Sequence, residues 1–241
     1  MTAILEKNKP ADFSTTSSGF VVLIDKEESW TSFDVVKKIR NITRVKKVGH
    51  AGTLDPFATG LMLVGLGKAT KELSRLSALS KSYRALIRFG VETDSYDRTG
   101  KVVAERDCGG LSLEKIEQRV HAMRGEIEQT PPMYSAKKKN GVRLYKLARK
   151  NIEVERQPVT VTIHRVQILK WQAPFLEIDL DVSKGTYVRS YAYDLGRALG
   201  VGAVLHELRR TAIDQFRVED SFKMVEFEAF WKQRGSDIAW I

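Results

Sequence analysis

The chain has 241 residues, a length that suits one large domain or two small ones. Hydrophobic residues make up 42% of it, which is enough for a sizeable core and excludes a globally disordered protein. The formal net charge of +10 favours a polyanionic partner, nucleic acid above all, over an ordinary basic surface. Cys108 is the only cysteine, so no intrachain disulfide can form, and no apolar run reaches the length of a membrane span. We therefore expect a soluble protein of the reducing cytoplasm, with no membrane partner.

The first part of the chain predicts a tail, then a strand and a helix. Residues 1–18 are polar and lack apolar periodicity, which indicates a flexible tail. Residues 19–24 form an apolar run that is typical of a buried strand. Thr31 or Ser32 can cap the helix that follows, and apolar residues on one helical face predict that it continues through Arg40.

Residues 49–60 form a glycine-rich loop with the sequence GHAGTLDPFATG. Asp55 stands directly before Pro56, which restricts the backbone of Asp55 to extended conformations and narrows the directions of its carboxylate. An apolar run follows and predicts a buried strand. A carboxylate on a stiff loop beside a core strand suits an active-site nucleophile or base. The same local pattern is also typical of a turn or a helix cap.

The next two segments predict a helix at 68–79 and a half-buried strand at 81–90. Lys71 lies on the outer face of the predicted helix. In the strand, Tyr83 stands beside Arg84, and an aromatic ring among phosphate-seeking charges can stack on a nucleobase. A tyrosine in a strand can equally belong to the core.

Two loops in the middle of the chain carry charged side chains. Residues 90–100 include Asp94 and Asp97, but the further ligands of an EF-hand are absent, so we interpret this loop as a turn and assign no metal. Apolar residues at helical spacing predict an amphipathic helix from residue 113 to near residue 125, and a short helix is predicted at 142–150. Between them, residues 129–141 contain two prolines and three consecutive lysines, with Lys138 in the middle. This composition predicts a surface connection, and a lysine run by itself is typical of a solvated face.

Residues 158–170 and 175–182 alternate in hydrophobicity and predict two long strands. They lead to the segment SKGTYVRS at 183–190, in which Arg189 stands near the start of a predicted helix. A cation is unfavourably placed there because the helix dipole favours anions, so a specific carboxylate partner is expected. Asp55 is the natural candidate, and the guanidinium would keep it ionised despite burial.

Five ordered segments between residues 20 and 216 resemble the TruB family of pseudouridine synthases. The most specific is the GHAGTLDP motif of the loop, and the others include KSYR, PPMYSA, SKGTYVR and LRR. In that family the aspartate of the loop is catalytic and the arginine of SKGTYVR pairs with it. The resemblance implies an α+β pseudouridine synthase fold, in which helices flank a mixed, mostly antiparallel central sheet and a catalytic cleft crosses the sheet.

The resemblance also implies the roles of individual residues. Asp55 and Arg189 are expected to be catalytic, and the nucleotide-binding residues are expected to be His50, Tyr83, Tyr187 and Leu208. Further RNA contacts are expected at Lys71, Arg84, Asp97, Lys138 and Lys184. Because the reaction moves no electron and imports no group, no cofactor and no metal are expected.

The implied function is isomerisation of uridine to pseudouridine in RNA, at uridine 55 in the T loop of tRNA, by base flipping and an essential aspartate. Asp55 would act either as a nucleophile on the sugar or base, or as a base at the sugar. We expect a monomer that binds the T-stem loop and needs no guide RNA. Three alternatives are an RNA-binding protein without chemistry, a guide-RNA-dependent enzyme of the same superfamily and a hydrolase with an Asp nucleophile.

The predicted domain organisation has three parts. A tail at 1–18 precedes a catalytic domain at 19–216, and residues 217–241 form a short helical extension. Within that extension, residues 220–235 predict a packing helix. Because few residues follow Arg210, we expect no full C-terminal RNA-binding domain of the kind that many TruB members carry.

Overall fold

The computed structural model describes residues 3–9, 19–135, 137–139, 141–150 and 152–234. The strands in these ranges are β1 (Ala3–Leu5), β2 (Phe20–Lys26), β3 (Val48–His50), β4 (Thr59–Leu66), β5 (Lys81–Phe89), β6 (Val91–Thr93), β7 (Val102–Glu105), β8 (Gly125–Gln129), β9 (Lys138–Lys139), β10 (Val142–Arg143), β11 (Val159–Gln172), β12 (Phe175–Val182), β13 (Ala203–Ile213) and β14 (Phe216–Arg217). The α-helices are α1 (Ser32–Thr43), α2 (Leu73–Ser77), α3 (Leu113–Ala122), α4 (Leu144–Ala148), α5 (Val188–Ala198) and α6 (Met224–Arg234).

The chain divides into two compact units, which are residues 1–83 with 209–241 and residues 84–208. Both boundaries fall inside strands, since the first lies in β5 and the second in β13.

In the first unit the strand order is β1-β2-β4-β13. β2 pairs with β4 in antiparallel register, whereas β1 joins the other edge of β2 in parallel. Arg209 and Arg210 of β13 pair in parallel with Thr59 and Gly60 of β4. One apolar cluster covers this sheet and includes Val21, Leu23, Leu61, Leu63, Leu76, Ile213 and Phe216. Because β4 is buried along almost its whole length, the loop that precedes it starts from a fixed strand.

Helix α1 follows β2 and precedes the loop that carries Asp55. Thr31 caps it through a reciprocal pair of hydrogen bonds with Asp34, which satisfies backbone donors at the first turn. Val35, Val36 and Ile39 form its buried face. The helix contacts β3 and α6, so its opposite face is left to solvent.

In the second unit the strand order is β13-β5-β12-β11-β8. β11 and β12 form a long antiparallel hairpin, and β8 pairs antiparallel with the other edge of β11. β6 and β7 form a separate two-stranded sheet, as do β9 and β10. Helix α3 contacts β11 and α5. The loop between β6 and β7 carries Asp97, and the start of α5 carries Arg189.

The predicted α+β class, with a mixed and mostly antiparallel sheet and helices, is confirmed. The strands predicted near residues 20, 61, 81, 158 and 175 are present as β2, β4, β5, β11 and β12. Along β5, buried residues alternate with more exposed ones, as a half-buried strand requires. The helices expected from residues 31, 113 and 220 are present as α1, α3 and α6.

The prediction of a flexible tail over residues 1–18 was wrong for part of that segment. Ala3–Leu5 forms β1 and pairs with Phe20–Val22, and Leu5 is buried. Parallel pairing at a sheet edge depends on backbone groups of a distant strand, so a three-residue strand leaves almost no periodicity in its own sequence. Residues 1, 2 and 10–18 lie outside the described residues.

Two predicted helices are shorter than expected. The segment 68–79 begins as a 3₁₀ helix, Gly67–Glu72, and only then continues as α2. The segment 142–150 forms α4 only from Leu144, because β9 and β10 pair as a hairpin just before it. Gly141 has a φ of 80°, a left-handed conformation that suits this tight turn and ends helical continuity.

Candidate functional site

Asp55 lies in the turn that joins β3 to β4, in the first unit. Its backbone carbonyl accepts a hydrogen bond from Ala58 N–H at 3.1 Å, which closes the turn after the Asp-Pro step. Gly52 and Gly60 have φ angles of 111° and 105°, which other residues rarely adopt. A side chain at Gly60 would also clash with the backbone of Arg210. Glycines on both sides of Asp55 are therefore required by the path of the backbone.

Lys26, at the end of β2, links the backbone of this loop to the turn that precedes α1. Lys26 is 1% exposed, and its ammonium group donates to the carbonyl oxygens of Trp30 at 2.7 Å, Glu27 at 2.9 Å and Pro56 at 3.2 Å. Burial lowers the pKa of Lys26 to about 8, and the negative charge of Asp55 opposes this shift. The ammonium group therefore interacts electrostatically with the Asp55 carboxylate and donates a hydrogen bond to Pro56, the residue that follows Asp55.

Ser32 fixes the residue that precedes Asp55. Its hydroxyl oxygen accepts a hydrogen bond from Leu54 N–H at 2.8 Å and donates one to the Leu54 carbonyl at 3.1 Å. On the other side of Asp55, Ser29 N–H donates to the carbonyl of Pro56 at 2.9 Å. The start of α1 and the turn before it thus hold both neighbours of Asp55.

Arg210 ties the two ends of the loop together. Its Nε donates to the carbonyl of Leu61 at 2.6 Å and its Nη2 donates to the carbonyl of Gly52 at 3.3 Å, while the residue is 1% exposed. The motifs assigned no role to Arg210 or to Lys26. Arg210 lies within β13, but its partners are 149 and 158 residues away, so no local pattern reveals them.

His50 lies at the end of β3 and is partly buried. Its burial, reinforced by the positive charge of Arg210, lowers the pKa of the imidazole, which is therefore neutral at pH 7. Within the described part of the chain, its Nδ1 is buried without a hydrogen-bond partner. A neutral imidazole has one donor and one acceptor nitrogen and can bind a polar ligand group. Its contact with RNA stays a prediction.

Arg189, in the first turn of α5, lies in the second unit. The residue is 4% exposed, and its guanidinium donates to the carbonyl of Tyr134 at 2.8 Å and to that of Ser95 at 3.0 Å. Asp97 Oδ2 lies 3.4 Å from Nη1 and forms a buried ion pair with it. The expected carboxylate partner for a cation at this position therefore exists in the same unit. The predicted pairing with Asp55 joins residues of different units and stays a prediction.

Asp97 was expected to contact RNA, and the structure places it differently. The residue is 4% exposed, and its Oδ1 accepts hydrogen bonds from the Ser95 hydroxyl at 2.9 Å, Thr99 N–H at 2.9 Å and the Thr99 hydroxyl at 2.6 Å. With its other oxygen facing Arg189, this carboxylate serves the fold of the β6–β7 loop rather than a surface contact. The sequence pattern failed here because a loop aspartate carries no local sign of burial.

Tyr187 immediately precedes α5 and is half-buried. Its backbone N–H donates to Gln129 Oε1 at 2.7 Å, and its carbonyl accepts from Gln129 Nε2 at 3.0 Å. Gln129 is fully buried, so its amide acts as a fixed clamp on the backbone of Tyr187. No local pattern predicts this role, because the two residues are 58 positions apart.

Tyr83 and Leu208, the two other residues expected to bind the target base, are each 8% exposed. Tyr83 lies on the buried side of β5, and Leu208 lies in β13. Burial of this degree fits a ring in a narrow pocket and also fits the core packing that we considered from the sequence. Their contact with a nucleobase stays a prediction.

The remaining residues expected to contact RNA differ in their surroundings. Lys71 and Lys184 are exposed. Arg84 is exposed too, but its guanidinium is paired with both carboxylate oxygens of Asp179, at 2.9 and 3.1 Å. Lys138 has its backbone in β9, and its side chain lies outside the described residues.

No group of three or more His, Cys, Asp and Glu residues that could hold a metal ion occurs among residues 3–9, 19–135, 137–139, 141–150 and 152–234. Over the same residues, no helix has both the length and the apolar character that crossing a membrane demands.

Comparison with known families identifies the class of this protein. The model of the TruB family pseudouridylate synthase N-terminal domain matches residues 40–188, which include Asp55. The model of the tRNA pseudouridylate synthase B C-terminal domain matches residues 189–239. The chain therefore belongs to the TruB family of pseudouridylate synthases, and the family predicted from the motifs is confirmed. The second match includes most of the stretch that we expected to be only a helical extension.

Individual relatives agree with this assignment. The chain is 46% identical over 204 residues to the tRNA pseudouridine synthase B of Clostridium tetani (strain Massachusetts / E88), and the matched region covers 85% of this chain and 71% of that protein. It is 43% identical over 209 residues to the protein of the same name from Endomicrobium trichonymphae, covering 87% and 91%. A solved structure titled "Crystal Structure of a Cbf5-Nop10-Gar1 Complex" is 29% identical with a TM-score of 0.73, and the match covers 96% of this chain but only 60% of that one.

Proposed function

We propose that this protein isomerises uridine to pseudouridine in tRNA, at uridine 55 of the T loop, and that it acts in the cytoplasm without a guide RNA. The observation that carries the proposal is the loop with Asp55, which Lys26, Ser32 and Arg210 hold by buried hydrogen bonds. A loop held this closely can present a reactive carboxylate in one orientation. Relatives named tRNA pseudouridine synthase B support tRNA as the substrate.

The chemistry requires access to a base that is stacked inside a folded loop. The target uridine must first be flipped out, which costs unstacking free energy that contacts to the flipped base offset. Asp55 then acts on the sugar or the base, and the bond between C1′ and N1 breaks. The uracil turns, C5 bonds to C1′, C5 loses its proton and N1 gains one. Product and substrate have the same atoms, so the reaction needs no co-reactant and no cofactor.

Arg189 is the proposed partner that orients Asp55 and keeps it ionised. The contacts of Arg189 in its own unit support this role, because Asp97 and two carbonyl oxygens hold the guanidinium in place while it remains charged. Asp97 would then act on Asp55 only through Arg189. In this proposal a single buried carboxylate, remote from the substrate, positions the cation that the reactive carboxylate needs.

The proposed base-binding side chains have complementary character. Tyr83 would stack on the flipped uracil, Tyr187 would line the pocket with its polar tip and Leu208 would close the apolar side. The clamp of Gln129 on the backbone of Tyr187 supports a fixed position for that ring. His50, whose imidazole stays neutral because burial and the charge of Arg210 lower its pKa, would contact the RNA near the vacated position.

A guide-RNA-dependent enzyme is the second candidate, and one observation favours it. The similar solved structure is a complex of Cbf5 with Nop10 and Gar1, so a likeness in fold extends to a protein that assembles with others. Relatives of this chain that are more than 40% identical are named for tRNA instead, which favours the stand-alone enzyme. The experiment below separates the two candidates.

The decisive experiment uses the purified protein alone with unmodified tRNA that carries tritium at uracil C5. Formation of the new bond at C5 releases the label to water, so tritium release measures the reaction directly. We expect release equal to one uridine per tRNA, and loss of release when uridine 55 is replaced by cytidine. A protein that binds tRNA but releases no tritium would contradict the stand-alone function and favour the guided enzyme or an RNA-binding protein.

Asp55→Asn is the first variant to test. Asparagine keeps the size and the loop geometry but can act neither as nucleophile nor as base, so we expect release to fall by at least about 1,000-fold. Binding of tRNA should change less than about threefold. Asp214→Asn is the matched control, because Asp214 is exposed and its φ of 51° is one that asparagine tolerates. Comparable turnover by Asp55→Asn and the wild type would exclude Asp55 as the reactive group.

A further inference from the structure

The solvent-facing side of α1 has a strongly basic character. The helix carries Lys37, Lys38 and Arg40 after the acidic Asp34 of its first turn, and three more cations follow it within residues 44–47. Lys37 and Asn41 are exposed and lie on one face of the helix, four residues apart. Phe33 precedes them by one turn and is 63% exposed. Cations and an aromatic ring on one open face are the side chains that bind single-stranded nucleic acid.

A cavity of about 400 Å³ opens beside this face. It is open to solvent over most of its extent, so it would hold one face of a ligand rather than enclose it. Among the described residues, the half-buried Trp30 contributes the one aromatic ring, and the lining consists of Ser29, Trp30, Asp34, Lys37, Lys38 and Asn41.

The polar groups that line the cavity are not all available to a ligand. Asp34 Oδ2 accepts hydrogen bonds from Thr31 N–H at 2.9 Å and from the Thr31 hydroxyl at 2.6 Å, as part of the helix cap. Lys38 forms an ion pair with Glu228 of α6 at 2.7 Å. Within the described residues, the side chains of Lys37 and Asn41 take part in no hydrogen bond or ion pair of this kind. The cavity thus offers a cation, an amide and an indole.

The cavity adjoins the loop that carries Asp55. Ser29, in its lining, donates from its N–H to the carbonyl of Pro56 at 2.9 Å. The carbonyl of Trp30 accepts from the ammonium group of Lys26, which is also bonded to the carbonyl of Pro56. A ligand that contacts Trp30 would therefore bind next to residues that are hydrogen-bonded to the proposed reactive loop.

We propose that this cavity is a second nucleotide subsite, which takes an unstacked base of the RNA outside the flipped uridine. The base would stack on Trp30, the Asn41 amide would hydrogen-bond the edge of the base, and Lys37 would bind its phosphate. The inference rests on the proposed function only in that the RNA is the same substrate.

A protein partner is the competing occupant, and the charge distribution favours RNA. An acidic peptide could pair with Lys37, but it would leave the exposed ring of Phe33 and the half-buried ring of Trp30 without a planar partner. A nucleotide satisfies the ring and the cations together, because every base has a π-face and every linkage a negative charge. With six cations against the single acid Asp34 in residues 34–47, the electrostatic attraction acts on any polyanion that reaches the neighbouring loop.

The test measures the affinity of the full chain for unmodified tRNA across salt concentrations. We expect Lys37→Glu to weaken binding about fivefold at low salt and to lower the slope of log K against log salt by about 1, because one phosphate contact is lost. Trp30→Leu should weaken binding about tenfold, and Trp30→Phe should restore most of the loss because a stacking face returns. Lys115→Glu is the matched control, since Lys115 is an exposed lysine of α3.

Kinetics distinguish a subsite from a structural role. Because the cavity lies outside the reacting atoms, Lys37→Glu should raise KM for tRNA and leave kcat at saturation within about twofold of wild type. A variant that loses kcat but keeps its tRNA affinity would show that these residues only support the loop, and that outcome overturns the proposal. Equal affinity of Lys37→Glu, Trp30→Leu and wild type would overturn it too and leave the face to a protein partner.

Photocrosslinking locates the contact without relying on turnover. Transfer RNA transcribed with 4-thiouridine should crosslink to the peptide that contains Trp30, and the crosslink should weaken in Trp30→Leu. Absence of crosslinks in residues 29–41, with crosslinks elsewhere, would contradict the subsite. Because affinity and crosslinking do not require catalysis, their failure is distinct from failure of the proposed function, which tritium release by the wild type reports.

Discussion

The loop with Asp55 and the first turn of α5 with Arg189 bury charged groups in opposite ways. Around the loop, two buried cations, Lys26 and Arg210, donate to backbone carbonyl oxygens and so hold the path of the chain. At α5 the buried group is itself a cation, and a carboxylate, Asp97, and backbone carbonyls hold it. The first arrangement positions a carboxylate through its backbone, whereas the second positions a guanidinium directly.

This difference has a consequence for stability and for activity. A cation bonded to carbonyl oxygens has no carboxylate hydrogen-bonded to it, so burial can lower its pKa, as it does for Lys26 even though the nearby charge of Asp55 opposes the shift. A cation paired with a buried carboxylate depends on that carboxylate, because removing one partner leaves the other charge uncompensated. We therefore expect the second arrangement to be the more sensitive to single substitutions.

The largest effect is expected for Asp97→Ala. It leaves the buried guanidinium of Arg189 without its ion pair and the Ser95 and Thr99 hydroxyls without their acceptor, so the free energy of unfolding should fall by about 3–5 kcal/mol. Urea denaturation measures this change. Asp97→Asn keeps an oxygen acceptor and should lose less, and Arg189→Met should lessen the effect of Asp97→Ala when the two are combined. Simple additivity of the two changes would contradict the coupling.

The next effect is expected for Arg210→Met. Methionine fills the space but leaves the carbonyls of Leu61 and Gly52 without donors, so unfolding free energy should fall by about 2–4 kcal/mol, and tritium release should fall as the loop loosens. The neighbouring Arg209 is the matched control, because its side chain is 41% exposed and pairs with Asp25. Arg209→Met should cost only about 1 kcal/mol. Equal losses in the two variants would refute the loop-holding role of Arg210.

Lys26 provides a pH-dependent test of the same loop. Below pH 8 its ammonium group can donate to all three carbonyls, but the neutral amine has only two hydrogens and no charge, so tritium release should decline as pH rises through about 8. Stability should behave oppositely. Between pH 8 and 10.5 the unfolded chain binds more protons than the folded one, so Lys26 makes stability rise with pH in that window.

Lys26→Met removes both the positive charge and the hydrogen bond to Pro56, so it should lower activity about tenfold at pH 7. It should also remove the decline in activity near pH 8, because no titrating group is left at this position. Lys232→Met, at an exposed lysine of α6, should leave the pH profile unchanged. An unaltered alkaline decline in Lys26→Met would assign that decline to another group.

The smallest effect is expected for Asp194→Asn, in the same helix as Arg189. Burial raises the pKa of Asp194 to about 6, against only a modest opposing effect of Arg197. Between pH 4 and 6 the folded state binds more protons than the unfolded state, so this carboxyl makes stability fall as pH rises. Asparagine should stabilise the protein by about 1–2 kcal/mol at pH 7, less than the full shift implies because the carboxyl is partly exposed, and by almost nothing below pH 4. Thermal unfolding at the two pH values measures the difference.

Local sequence patterns were enough for much of the fold. Alternating apolar and polar residues at 81–90 and apolar runs near residues 20 and 61 predicted strands, because the pattern of apolar side chains along a strand reflects which of them are buried. The capping residue before α1 and the glycines around Asp55 were equally visible, since turns and caps depend on a few neighbouring positions. The motif with Asp55, together with four further segments, also predicted the TruB family, which the match to residues 40–188 confirmed.

Only the tertiary structure decided what surrounds these residues. The hydrogen bonds of Arg210 and Gln129 join positions 58 to 158 residues apart, and the pairing of β1 with β2 depends on a sheet edge that forms only on folding. Burial decided the position of Asp97 in the same way, because the same loop aspartate is exposed or buried according to what packs over it. Sequence by itself determined which groups the protein carries, while long-range packing determined which of them are buried, charged and held in place.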